Sequence, residues 1–278
     1  MKRLLSIEFQ KIWKNKASRI LTLSYFILLT FIALIASIKF QIGNFTLHFA
    51  EMGIFNFPFI WHFNTFVAAA LKFFLAIVIV SMMANEYSYG TLKQNLIDGM
   101  SKKELVLSKF LTVAVFAAAS AVFLFVMSLI LGYSFSSYTE PAIVFSGLEY
   151  IVAYFVKLVG FFSFCLFLGI LVKRSAFAIG FLLIWGILEG IAKGILTFKI
   201  FPDNNIADNI MQFFPLESMS NLIKEPFTRL SLVKTIGSQI GVDNVKDYSV
   251  HWFTILIVLG WTIIFMLMSY KLLKKRDL

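Results

Sequence analysis

The chain has 278 residues, 59% of them hydrophobic and 17% aromatic, with only 14% charged and a mean hydropathy of +0.85. Soluble globular domains carry about 25% charged residues, so this composition excludes a soluble globular domain and describes an integral membrane protein. A net charge of +10 raises the question of nucleic acid, but no basic stripe interleaved with aromatics occurs; much of the charge lies beside apolar runs, where anionic lipid is the partner.

The opening stretch, "MKRLLSIEFQKIWKNKASR", repeats Leu5, Phe9, Ile12 and Trp13 at helical spacing, with Lys2, Arg3, Lys11 and Lys14 largely elsewhere. Residues 1–19 are therefore expected to form an amphipathic helix lying in the membrane interface. Six apolar stretches follow, at 20–38, 64–84, 107–132, 150–172, 176–196 and 252–270, each near the ~20 residues needed to cross a hydrocarbon core. The first is longer than the ~7–15-residue core of a signal peptide and no small-residue cleavage site follows it, so it is expected to remain. The fold class expected is an all-α polytopic membrane protein with six transmembrane helices, residues 1–278 making a single domain. Cys165, the only cysteine, sits inside the fourth apolar run, which rules out an intrachain disulfide and a thiolate metal site.

Of the 25 Lys and Arg, sixteen fall on the side of the termini, six on the opposite side (Lys39, Lys199, Lys224, Arg229, Lys234, Lys246) and three within spans. The positive-inside rule then places both termini in the cytoplasm of a cell membrane. Residues 85–106, between spans two and three, form a cytoplasmic segment. Thr91 with Gln94 fits a capping box that starts a helix at Leu92, Gly99 fits the residue that ends it after Asp98, and Ser101 with Glu104 fits a second box before span three. A short helix held crosswise between two long ones is the expected result, with Gly90 and Gly99 supplying the bends.

On these residues the chain resembles a family. "NEYSYGT" followed by "MSKKELVLSKFL" is similar to the E-x-x-x-G-T, basic, K-hydrophobic pattern of permease subunits of type 2 ATP-binding-cassette (ABC) transporters. The resemblance extends to the hydropathy profile, from the basic N-terminal helix to the long external segment before span six. It implies that residues 85–106 are a coupling helix docking on a cytoplasmic ABC ATPase, with Glu86, Gly90 and Thr91 on the motif and Leu92, Gly99, Ser101, Lys102 and Lys109 around it. It further implies an exporter in which this chain pairs with a second permease subunit, identical or related. No G-x-x-x-x-G-K-[ST] occurs, so the chain is expected to be no enzyme and to hold no cofactor, ATP and Mg being bound by the partner.

Four ionisable residues fall inside spans: Lys72, Lys157, Glu189 and Lys193, between roughly 18 and 26 Å along their helices. Each needs a partner or a wet cavity. Glu189 and Lys193, four apart, can pair locally, with Lys72 and Lys157 as cross-helix competitors; a surplus of positive charge would suit an anionic or lipid-headgroup substrate. Gly186, Gly190 and Gly194 form a doubled small-xxx-small face, for packing within the chain or for a dimer seam. In the external segment 197–251, "NIMQFFPLESMSNLI" within 206–223 either re-enters the outer leaflet, as the family's hairpin does, or lies on the surface as an amphipathic pair. His48, His62, His251 and Glu51 fit no closed metal spacing. The alternative reading is a six-span secondary transporter or an intramembrane enzyme. The former calls for broken helices and inverted repeats, and the pattern of apolar runs shows neither.

Overall fold

A computed structural model describes residues 2–42, 45–47, 50–202, 206–230 and 246–276. Twelve helices are labelled here in chain order. The first two are α1 (Lys2–Lys14) and α2 (Lys16–Ser37), and a short antiparallel pair follows, β1 (Phe40–Ile42) with β2 (Phe45–Leu47), Phe40 opposite Leu47. Then come α3 (Phe59–Ala70), α4 (Lys72–Ser88), α5 (Thr91–Ile97), α6 (Lys102–Phe135), α7 (Pro141–Val144), α8 (Glu149–Val172) and α9 (Ser175–Ile195). The last three are α10 (Ile206–Met211), α11 (Pro215–Asn221) and α12 (Trp252–Lys275). Five helices are long and apolar enough to cross a membrane, and a sixth span arises if α3 and α4 are taken together. The chain is a multi-pass membrane protein.

Helix α8 is the hub. Its apolar window is 78% buried, against 22% for α2, 17% for α9 and 28% for α12, and it packs on α3, α4, α6, α9, α11 and α12. Small residues allow these approaches. A Cβ on Gly160 would lie 2.7 Å from Val258 Cγ1 of α12, and one on Gly169 would lie 3.2 Å from the Val80 carbonyl of α4. The outward faces of α2, α9 and α12 keep large apolar side chains such as Ile27, Ile187 and Ile263 exposed, as expected where acyl chains are the solvent. Much of the buried polarity is paired: the Tyr25 and Tyr154 hydroxyls bond each other and both bond Ser120, joining α2, α6 and α8 in the core.

Two elements depart from the sequence pattern. The interfacial helix ends at Lys14, not at residue 19, because the Asn15 side chain accepts from Ser18 N at 3.0 Å and caps a new helix. Span two is bent by 45° between α3 and α4, with no proline or glycine nearby. There Leu71 N bonds Ala68 O and Phe74 N bonds Leu71 O, i→i−3 turns in place of i→i−4, and such tightened turns redirect a helix. Lys72 opens the second half.

Candidate functional site at the basic end

The short helix α5 is built by local chemistry. Gly90 enters it at φ +68°, a left-handed conformation that favours glycine. Gly99 leaves it at φ +96° in a Schellman arrangement, with Met100 N on Asn95 O and Gly99 N on Leu96 O. Ser101 and Glu104 form both halves of a capping box at the start of α6. The Thr91–Gln94 box does not form. Thr91 is already the first helical residue behind the Gly90 cap, and its hydroxyl donates instead to Glu86 Oε2 at 2.8 Å.

That carboxylate is the centre of the site. Glu86, 2% exposed at the end of α4, accepts at Oε2 also from Asn95 Nδ2 of α5 (3.2 Å), and at Oε1 from Lys109 Nζ of α6 and Lys11 Nζ of α1, both at 2.8 Å. Lys109, 1% exposed, donates in turn to Glu8 Oε2 at 2.6 Å, and Lys11 lies 3.7 Å from Glu8 Oε1. Two carboxylates and two ammonium groups thus tie together α1, α4, α5 and α6. Buried charges are tolerated only when paired and hydrogen-bonded in this way. Burial of Lys11 works against its charge, yet hydrogen bonds and attraction to Glu86 and Glu8 raise its pKa above the ordinary lysine value.

A second tether reaches the C-terminus. Lys102 Nζ donates to the carbonyl of Arg276 at 2.9 Å, just past the end of α12, where a cation meets the negative end of the helix dipole. Arg276 spans to α8, donating to Ile170 O at 2.5 Å and Leu171 O at 2.9 Å, and to Tyr87 OH at 3.0 Å.

Of the residues that the motif singled out, Glu86, Gly90, Thr91 and Gly99 shape and hold α5, while Ser101 caps α6 and Lys102 reaches the end of α12. Leu92 is 1% exposed and packs into the core, so it presents nothing outward. The outward surface carries Tyr89 at 74% exposure and Ile97 at 84%, with Lys93, Gln94 and Asp98 also exposed. Sequence reasoning missed that pair, although an apolar residue isolated in a polar stretch was its signal. It grouped Leu5, Phe9, Ile12 and Trp13 on one face of α1 and gave no role to Glu8, which is buried while Trp13 is 53% exposed.

The intramembrane charges separate into different roles. Glu189 takes no lysine: it accepts from Trp185 Nε1 at 2.6 Å, Leu216 N at 3.2 Å and Glu217 N at 2.9 Å, thereby capping α11. Lys193 pairs with Glu217 at 2.6 Å and lies 3.5 Å from Asp208, so the local Glu189–Lys193 pair does not form. Lys72 and Lys157 make no ion pair among the described residues. Added Cβ atoms on Gly190 and Gly194 would meet nothing within 4 Å, and one on Gly186 would meet only Leu216; among the described residues the glycine face is not a seam between two spans. Pro215, Ser218, Met219, Leu222 and Ile223 are buried against the helices that frame them. His62 bonds the Lys224 carbonyl and Arg229, while His48 lies outside the described residues.

Taken together, the site defines a polytopic helical membrane protein with a short polar-surface helix clamped by buried charge to two spans and to the N-terminal helix. Residues 26–278 match the family described as "Protein of unknown function (DUF2705)", and the chain belongs to that family. Comparison with curated proteins gives no match.

Proposed function

We propose that the chain is the membrane-spanning half of an ABC transporter, an exporter acting as a dimer and driven through α5 by a separate ATPase on the cytoplasmic face. The carrying observation is the Glu86 cluster. A helix that must transmit a push needs attachment without slack, and Glu86 fixes α5 to α4, α6 and α1 through four hydrogen bonds. Tyr89 and Ile97 are the side chains left to meet a partner, as aromatic and aliphatic anchors do at interfaces. The basic end would then face the cytoplasm.

The test is copurification with a cytoplasmic ABC ATPase subunit coexpressed from the same genome. Ile97→Asp should abolish it while leaving the thermal stability of the permease unchanged, since that side chain makes little contact within the chain. Undiminished copurification and transport in Ile97→Asp with Tyr89→Ala would remove the coupling role.

A second reading is favoured by one observation, the 45° break before Lys72, because broken spans with charge at the break are the hallmark of secondary transporters. Transport that persists without any ATPase and follows an ion gradient would select it.

A further inference from the structure

We propose that the cavity between α4, α8, α9 and α11 is a binding site for the anionic headgroup of a membrane amphiphile, held by Lys72 at its wall with Lys157 just behind the cavity-lining Ser220. The cavity has a volume of about 250 Å³ and is lined among others by Lys72, Phe73, Phe161, Gly190, Glu217 and Ser220, against the ~30 Å³ share of one water.

Four independent features point to an anion there. The carboxylates at the cavity have partners other than these two lysines, Glu189 in Trp185 and two backbone N–H groups and Glu217 in Lys193. Among the described residues Lys72 Nζ meets only aromatic faces, 4.7 Å from the Phe161 centroid and 5.5 Å from that of Phe73. Lys157, 4% exposed, has three donors and, among the described residues, a single long hydrogen bond, 3.5 Å to the carbonyl of cavity-lining Ser220. Finally, the break in span two puts the N-terminus of the 17-residue α4 at the cavity, and a helix N-terminus carries positive partial charge with free N–H groups.

The surroundings favour an amphiphile over a free ion. The wall at Gly190 is open, and beside it Ile187 and Ile191 of α9 are 61% and 53% exposed, an apolar surface for an acyl chain. Lys72 lies about 24 Å from the basic end of α4 at 1.5 Å per residue, which places the headgroup in the leaflet away from that end.

The experiment uses the full chain in phosphatidylcholine nanodiscs with graded phosphatidylglycerol, reading lipid retained on the extracted protein by native mass spectrometry. Saturable retention of phosphatidylglycerol over phosphatidylcholine is expected, reduced at least tenfold by Lys157→Met and by Lys72→Gln, and kept by Lys72→Arg and by Lys271→Gln at the basic end. Displacement of that lipid by millimolar inorganic phosphate would support the anion site while assigning it to the free ion. Equal retention of the two lipids, or retention unchanged in both lysine variants, overturns the proposal. If Lys157→Met fails to fold, the half-buried Lys72 pair of variants decides alone. No ATPase or nucleotide enters the measurement, so its failure leaves the coupling proposal standing, and the reverse.

Discussion

Lys109 and Glu86 meet at 2.8 Å with side chains 1% and 3% exposed, an ion pair between two spans in a place where neither charge could stand alone. Lys109→Met strands two carboxylates beside Lys11, and breaking a buried pair commonly costs about 3–5 kcal/mol. A double-mutant cycle with Glu86→Gln, read as detergent-solubilised unfolding, is expected to show coupling well above about 0.5 kcal/mol. Additive losses would mean that the two groups do not sense each other. Lys11 has its pKa raised, so its share of this stability is fully present below the ordinary lysine value and is lost only as pH rises through the raised one. Neutral and mildly alkaline conditions should leave the cluster intact.

The two leucine-sized positions of α5 should behave in opposite ways. Leu92 is 1% exposed and Ile97 84%. Leu92→Asp buries an unpaired charge and is expected to lower stability by several kcal/mol, whereas Ile97→Asp should stay within about 0.5 kcal/mol of the parent. Thermal denaturation of both variants checks this; equal effects would contradict the orientation of the helix.

What the sequence could tell was whatever is local. Five of the six apolar runs, the Ser101–Glu104 box and the glycine stop at Gly99 depend on neighbours a few residues away, and each formed as expected. Glu86, Thr91 and Lys109 fell on or around the motif, but their convergence with Lys11 was not legible, because Lys109 and Lys11 lie 23 and 75 positions from Glu86 along the chain and no periodicity links them. Glu189 misled for a related reason. A lysine four residues on is the natural partner on paper, yet the backbone N–H groups of α11 are donors that composition cannot count. The bend before Lys72 had no proline or glycine to announce it.

Orientation is tested by thiol labelling in intact cells. Cys165 is fully buried and is replaced by alanine for a clean background. Asp98→Cys, on the exposed face after α5, should react only with membrane-permeant reagents, and Thr139→Cys, in the exposed loop at the far end of α6, with impermeant ones. The reverse pattern would invert the assignment of the basic end.

Glu189 gives the last prediction. Its two oxygens serve Trp185 and the first free N–H groups of α11, so its role is that of a cap reaching from one span to the segment that precedes span six. Glu189→Gln keeps one acceptor oxygen and should cost about 1–2 kcal/mol, the range of a lost cap; Glu189→Ala leaves two buried N–H groups without a partner and should cost more. Because no lysine touches Glu189, the cycles with Lys72→Met, Lys157→Met and Lys193→Met are expected to be additive, whereas Trp185→Phe should couple. The local consequence is separable from global stability: Ser218, buried in α11, should as Ser218→Cys become reactive toward thiol reagents in the Glu189→Ala background and stay protected in the parent. Protection that is equal in both would show that α11 is seated by its apolar contacts alone, and strong coupling to Lys193 would restore the ion pair that the helical spacing suggests.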